Sequence, residues 1–181
     1  MAKRILLAAI LGGLAMFAWS SAAHMSPLGM IGIQVMPREI LIVDTLASGA
    51  GFREGLYVYP AEAAAAGPQR ASGLLLYHPA NVFAMMPQQI AAELIKEIVQ
   101  AGLLAFLMLQ IAGRFVSRVR FAAAAGLMVA LTTNGSYAIW YGMPMSYTLT
   151  SMGIEFAGYV IAGAVIAWLL SRFEAKEPAT S

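Results

Sequence analysis

Apolar residues occupy four long stretches of this chain, and charged residues collect between them. No charged side chain occurs in residues 5–23, 98–113, 121–154 or 156–171. A transmembrane helix needs about 20 mostly apolar residues to cross the hydrocarbon core of a bilayer. The pattern therefore predicts an all-α integral membrane protein with a four-helix transmembrane bundle, its helices covering residues 5–23, 90–113, 119–140 and 148–171.

The segment between the first two predicted helices has a different pattern. A short helical pattern starts at Pro37 and ends near Gly49 and Gly51. Two runs of aliphatic and aromatic residues, 55–61 and 73–80, each lie between a glycine and a proline and predict strands of an antiparallel hairpin. We therefore expect a small α+β cap, which must pack on its short helix, the membrane surface or a partner because an isolated hairpin is marginally stable.

These patterns divide the chain into four parts. They are transmembrane helix 1 (1–23), the extracytoplasmic cap (24–88), transmembrane helices 2–4 (89–172) and a polar cytoplasmic tail (173–181). The first part has the basic start and small-residue end of a secretion signal. Its apolar run of about 18 residues is longer than most signal-peptide cores, so we expect an uncleaved anchor.

Basic residues sort to one side of the predicted bundle. They are Lys3, Arg4, Arg114, Arg118, Arg120, Arg172 and Lys176. The opposite side, with the cap, carries more acidic than basic residues. Because cytoplasmic loops of membrane proteins are enriched in Lys and Arg, we expect both termini in the cytoplasm, the cap outside it and a bacterial inner membrane as the location.

Composition agrees with this class and excludes others. Of 181 residues, 60% are hydrophobic and 11% are charged, and the mean hydropathy is +0.74. The net charge of +2 is explained by the basic membrane face, so no nucleic-acid partner is expected. The chain has no cysteine, which excludes disulfides and Cys-ligated metals. The sequence carries no cofactor motif and no catalytic constellation, so we predict a protein that is not an enzyme.

Three polar residues at membrane depth form the first candidate site. Glu155 interrupts the apolar run of the fourth predicted helix, and Lys96 and Asn134 stand at nearly the same height on the second and third. A charge at this depth is costly unless it is paired or hydrated, and such residues often mark function. The cluster either serves a proton, ion or ligand, or forms a structural ion pair between the second and fourth helices near the headgroups, where snorkelling is easy.

Histidine and methionine side chains form the second candidate site. Imidazole and thioether groups together suit Cu(I), and the candidate ligands are His24, His78, Met143 and Met145. Methionine is also an ordinary filler of gaps in apolar proteins. We therefore prefer packing to metal binding as the interpretation of these residues.

Small residues on the fourth predicted helix recur at four-residue spacing, which lets membrane helices approach closely. They are Gly158, Ala162, Gly163 and Ala167. The sequence leaves open whether this stripe packs within the bundle or against another subunit.

Two classes of function follow. The absence of a reactive constellation, the small-residue stripe and the small cap favour a non-catalytic accessory or assembly subunit of a larger complex, with the lipid bilayer and other membrane protein subunits as its partners. The alternative is a small transporter or ligand-handling protein that uses the polar cluster near the outer leaflet. Extracytoplasmic copper binding is a weaker third hypothesis.

Overall fold

The computed structural model describes residues 2–48, 51–60, 62, 67–111 and 115–175. The helices are α1 (Ala2–Met25), α2 (Glu39–Ser48), α3 (Met86–Leu109), α4 (Phe115–Ala130), α5 (Ser136–Tyr141) and α6 (Met145–Glu174). A π-helical segment, Leu131–Gly135, joins α4 to α5, and the strands are β1 (Gly55–Tyr59) and β2 (Gly73–Tyr77). Two of the basic residues used to predict orientation, Arg114 and Lys176, lie outside the described residues.

Three helices are long and apolar enough to cross a membrane. They are Lys3–Met25, Phe115–Tyr141 and Met145–Glu174. These helices support the prediction of an integral membrane protein. Helix α3 has 24 residues, but Glu93, Lys96 and Glu97 make its first half polar. The fourth transmembrane helix therefore stays a prediction.

Four long helices pack side by side: α1, α3, the helix that runs from α4 through the π-helical segment to α5 (the third long helix), and α6. Helices α1 and α6 lie in the middle. Helix α1 contacts both α3 and α6, and α4 contacts α6, whereas α3 and α4 contact each other little. The core consists mainly of small and aliphatic side chains, among them Ala8, Ala101, Ala105, Met108, Ala122, Ala162, Ile166 and Ala167. Small side chains allow this close packing because membrane helices gain their contact energy from van der Waals approach.

Two glycines mark the closest helix approaches. A Cβ atom on Gly13 of α1 would lie 2.6 Å from the Cα of Ile98 in α3. A Cβ atom on Gly163 of α6 would overlap the Cβ of Ala122 in α4. Both pairs of helices therefore need glycine where they cross.

A short turn reverses the chain between α5 and α6. Gly142 has a φ of 65°, a left-handed conformation that commonly ends helices and that glycine adopts without steric cost. Pro144 then occupies the N-cap position of α6. The two residues explain why the third and fourth long helices are antiparallel neighbours.

The hairpin of the cap is confirmed. Strands β1 and β2 are antiparallel, with Leu56 opposite Leu76 and Tyr57 opposite Leu75. The ring of Phe52 stands edge-on to that of Tyr57, with 4.9 Å between the centroids. Helix α2 borders β2 across an apolar groove of about 300 Å³, and none of the residues of α2 is buried.

Charged side chains pair at the end of the bundle opposite the cap. Arg118 of α4 is 3% exposed and donates two hydrogen bonds to the carboxylate of Glu174 in α6. The guanidinium of Arg4 lies over the ring of Phe173, 5.7 Å from its centroid. These contacts join α1, α4 and α6 at the end of the bundle opposite the cap.

Candidate functional site: a polar cavity between the helices

A cavity of about 230 Å³ lies at the cap-side end of the bundle, between α3 and the third long helix, which contact each other little. All four long helices contribute side chains to it. We call it the polar cavity, and its polar and aromatic lining residues are Trp19, Ser20, His24, Glu93, Lys96, Glu97, Gln100, Thr133, Asn134, Tyr147, Ser151 and Glu155. The four helices thus border a partly open cavity whose lining combines polar and ionisable side chains with apolar ones.

Glu97 is the most deeply buried charged residue of the polar cavity. It is 2% exposed. Its Oε1 accepts a hydrogen bond of 2.9 Å from the hydroxyl of Ser20 in α1. Its Oε2 is buried and has no hydrogen-bond partner, and the same is true of Oε1 of Gln100, one turn further along α3. Buried polar atoms in proteins almost always have partners, so these two acceptors are exceptions. The carboxyl group of Glu93, one turn earlier on α3, interacts with that of Glu97.

Glu155 and Asn134 form the opposite wall of the polar cavity. The amide of Asn134 donates a 3.0 Å hydrogen bond to Oε2 of Glu155. Asn134 belongs to the π-helical segment, and such segments are rare and frequent at functional sites. The local widening of the helix presents Asn134 to α6 at the height of Glu155.

Lys96 lines the same cavity, but it does not form the interhelical ion pair considered from the sequence. Its Nζ lies 2.5 Å from Oε1 of Glu93, three residues earlier on α3. No ion pair within 4.0 Å joins Lys96 to Glu155 in the described part of the chain. The three residues of the predicted cluster therefore surround one cavity, with Asn134 and Glu155 in direct contact and Lys96 held by its own helix.

Hydrogen bonds to the backbone fix two further side chains of the polar cavity. The indole nitrogen of Trp19 donates to the carbonyl oxygen of Ile154, at 2.8 Å. Nδ1 of His24 lies 2.8 Å from the carbonyl oxygen of Ser20. Since a carbonyl can only accept, the proton of a neutral His24 ring is on Nδ1 and its Nε2 is an acceptor.

The sequence interpretation missed Glu97, Gln100 and Ser20. A signal for Glu97 exists in the stripe of buried residues on α3. That stripe consists of Glu97, Ala101, Leu104, Ala105 and Met108. The apolar residues of this stripe are three or four positions apart, and the next position toward the start of the helix is Glu97. Lys96, its neighbour in the sequence, lies off the stripe. The positions of Gln100 and Ser20 depend on how α1 and α3 pair, which periodicity does not reveal.

The small-residue stripe of α6 lies inside this bundle. Ala162 and Ala167 are fully buried. Gly158 faces Met16 of α1, and Gly163 faces Ala122 of α4. The stripe is occupied by contacts within the chain, so it gives no support to docking of another subunit.

The candidate copper ligands are divided between two places. His24 lines the polar cavity, whereas His78 lies in the cap, 3.2 Å from Oε1 of Glu54. Met143 and Met145 lie in and just after the turn that precedes α6, and Met145 is exposed. Within the described residues, no group of three or more His, Asp or Glu side chains is placed to hold a metal ion.

Comparisons with protein families, with curated proteins and with solved structures found no match for this chain.

Proposed function

We propose that this chain is a small ligand-handling membrane protein that binds a polar ligand in the polar cavity. One observation carries the proposal: a carboxylate oxygen of Glu97 and an amide oxygen of Gln100, two residues that line the cavity, are buried without a hydrogen-bond donor. Leaving such groups unsatisfied costs about 1–3 kcal/mol each, more for a charged group. A bound ligand that donates hydrogen bonds would recover this cost.

The proposal includes an orientation and a location. Basic residues gather at the end opposite the cap, with Arg4, Arg118 and Arg172 among them. The positive-inside rule then supports a cytoplasmic position for that end and for both termini, in a bacterial inner membrane. The polar cavity would face the outer leaflet, where a ligand enters from outside or from the headgroup layer.

Fluorescence of Trp19 offers a direct test of binding. The chain has three tryptophans, so a variant with Trp140→Phe and Trp168→Phe keeps Trp19 as the single emitter. The purified full chain in maltoside detergent is titrated with small cationic, neutral and anionic molecules. We expect at least one of these charge classes to shift the emission in a saturable way and to raise the unfolding temperature.

A pair of matched variants checks that binding occurs in the polar cavity. Ser151→Phe fills the cavity from α6 and should abolish the fluorescence change. Ser146→Phe is the control, because Ser146 is an exposed residue of the same helix outside the cavity. Binding that survives Ser151→Phe, or no response to any class at millimolar concentration, would contradict the proposal.

The surface of the cap favours a second candidate, an accessory or assembly subunit of a larger membrane complex. Large apolar side chains are exposed on both α2 and the hairpin: Ile40 at 79%, Val58 at 63% and Leu76 at 64%. Large exposed apolar patches often mark interaction sites, and these side chains would meet another membrane protein subunit or the bilayer surface.

Native mass spectrometry of gently extracted protein separates the two candidates. A retained second polypeptide that is lost on Ile40→Asp would support the accessory role. Recovery of a monomer with an ordered cap would contradict it and leave ligand handling as the function.

A further inference from the structure

We infer that the ligand of the polar cavity is a small organic cation with a primary ammonium group. This inference rests on the proposed function, because it names the chemical class that the same cavity selects. Its basis is the juxtaposition of excess negative charge, unpartnered hydrogen-bond acceptors and aromatic walls around one space.

The charges that line the polar cavity favour a cation. Three carboxylates, Glu93, Glu97 and Glu155, line the cavity with one lysine, Lys96, whose ammonium is paired with Glu93. The remaining basic side chain of the lining is His24, whose neutral ring carries no charge. Two other side chains donate hydrogen bonds to these carboxylates, each to one oxygen. Ser20 donates to Oε1 of Glu97, and Asn134 donates to Oε2 of Glu155. The excess of carboxylates makes the field in the cavity negative, which repels anions and attracts cations.

The unpartnered atoms are acceptors, which favours a ligand that donates hydrogen bonds. Oε2 of Glu97 and Oε1 of Gln100 are buried without hydrogen-bond partners, and the two residues lie three positions apart on α3. An ammonium group has three N–H donors and no acceptor, and its hydrogen bonds to a carboxylate are about twice as strong as neutral ones. An ammonium group that reaches either oxygen would supply the missing donor.

The size and walls of the cavity indicate an organic cation. A volume of about 230 Å³ exceeds that of a bare ion and suits a molecule of several heavy atoms. Trp19 and Tyr147 supply aromatic rings, and cations are attracted to such ring faces. In the described residues no three His, Asp or Glu side chains converge as ligands of a metal ion.

The test compares three probes of nearly equal size with different charge. Ethanolamine carries a primary ammonium at neutral pH, ethylene glycol is neutral, and glycolate is an anion. The protein is the full chain with Trp19 as its single tryptophan, in maltoside detergent. We expect ethanolamine to give a saturable change in emission and ethylene glycol and glycolate to give none.

A matched pair of substitutions assigns the effect to Glu97. Glu97→Gln keeps the shape and the hydrogen bond with Ser20 but removes the charge, and should weaken ethanolamine binding about tenfold or more. Glu39→Gln makes the same change on the exposed surface of α2, and should leave the affinity within about twofold. Thermal unfolding without ligand checks that both variants are folded, and the probe comparison on the unmodified cavity stands if they are not.

The outcomes separate this inference from the proposed function. Binding of glycolate or ethylene glycol without binding of ethanolamine would contradict the inference that the ligand is a cation. It would still support the proposed ligand-handling function. No response to any molecule of any charge class overturns both. An unchanged affinity in a folded Glu97→Gln variant also overturns the inference.

Two sources supply this chemistry, a free amine and the ethanolamine headgroup of a lipid. Nanodiscs of phosphatidylethanolamine and of phosphatidylcholine distinguish them, because both lipids are zwitterionic and only the first has N–H donors. A weaker apparent affinity for ethanolamine in phosphatidylethanolamine discs supports the cation site with a lipid headgroup as occupant. Equal affinities support the same site with a free amine.

Discussion

Gly163 shows how tightly the helices of this protein approach each other. It lies in α6 directly against Ala122 of α4, and a single added carbon would overlap that neighbour. The Cβ of Ala122 is attached directly to the backbone, so no side-chain rotation moves it out of the way. The distance between α4 and α6 therefore depends on the absence of one side-chain atom.

We predict that Gly163→Ala lowers the free energy of unfolding by about 1–3 kcal/mol, the usual cost of overpacking a core. The control is Gly153→Ala on the same helix, where an added Cβ meets nothing within 4 Å. That change should be neutral or slightly stabilising, because alanine has the higher helix propensity. Thermal unfolding in detergent, followed by circular dichroism, measures both. Equal effects of the two substitutions would show that the α4–α6 contact is looser than described.

Arg118 is the buried charge at the opposite end of the bundle from the polar cavity. Its two terminal nitrogens donate to the two carboxylate oxygens of Glu174, whose side chain is 49% exposed. Such bidentate pairs have a fixed geometry, and removing one partner leaves a buried charge without compensation.

A double-mutant cycle with Arg118→Met and Glu174→Gln should give a coupling energy of about 1–2 kcal/mol, between the values typical of exposed and of buried pairs. The control cycle replaces Arg118→Met by Arg120→Met, since Arg120 is an exposed residue of the same helix. The coupling is read from unfolding in detergent at low ionic strength. A coupling energy near zero would mean that the pair does not hold α6 to α4.

At the scale of elements, the π-helical segment gives the third long helix its function in the site. Leu131–Gly135 widens the helix where it borders the polar cavity. Asn134 within it bonds Glu155 of α6, whereas Thr132 bonds back to the carbonyl of Met128. The segment therefore exchanges regular helix geometry for a polar contact between helices.

The hairpin of the cap allows a test of strand register. Leu56 and Leu76 are opposite each other and both exposed, so Leu56→Cys with Leu76→Cys should form a disulfide on oxidation. The natural chain has no cysteine to interfere. Leu56→Cys with Leu75→Cys is the control, because adjacent residues of a strand point to opposite faces. Loss of maleimide labelling reports the bond. Cross-linking of the control pair alone would indicate a register shifted by one residue.

At the scale of the whole molecule, the sorted charges predict which end faces the cytoplasm. Ser72 in the cap and Ser117 at the basic end are both exposed, so each accepts a cysteine. In intact cells, an impermeant thiol reagent should label Ser72→Cys and leave Ser117→Cys unlabelled until the membrane is opened. The reverse pattern would overturn the orientation and turn the polar cavity toward the cytoplasm.

Periodicity and charge determined the class of this protein. The uncharged runs predicted long apolar helices, and the Gly-to-Pro runs predicted the hairpin, because both depend on residues close together in the chain. Length and hydropathy were sufficient for three spans. Helix α3 was harder to interpret, because Glu93, Lys96 and Glu97 give its first half the composition of a soluble helix.

Only the tertiary structure decided how the polar residues meet. Counting positions along the predicted helices placed Asn134, Glu155 and Lys96 at nearly the same height. The direction in which each side chain points depends on how its helix is rotated about its axis. Lys96 pairs within its own helix, and Glu97, one position further and so about 100° round the helix, is the residue that enters the core. The small-residue stripe of α6 likewise gained its partners, α1 and α4, only when the helices packed. Local sequence sets which segments are helical, whereas which faces touch follows from the packing of all four long helices at once.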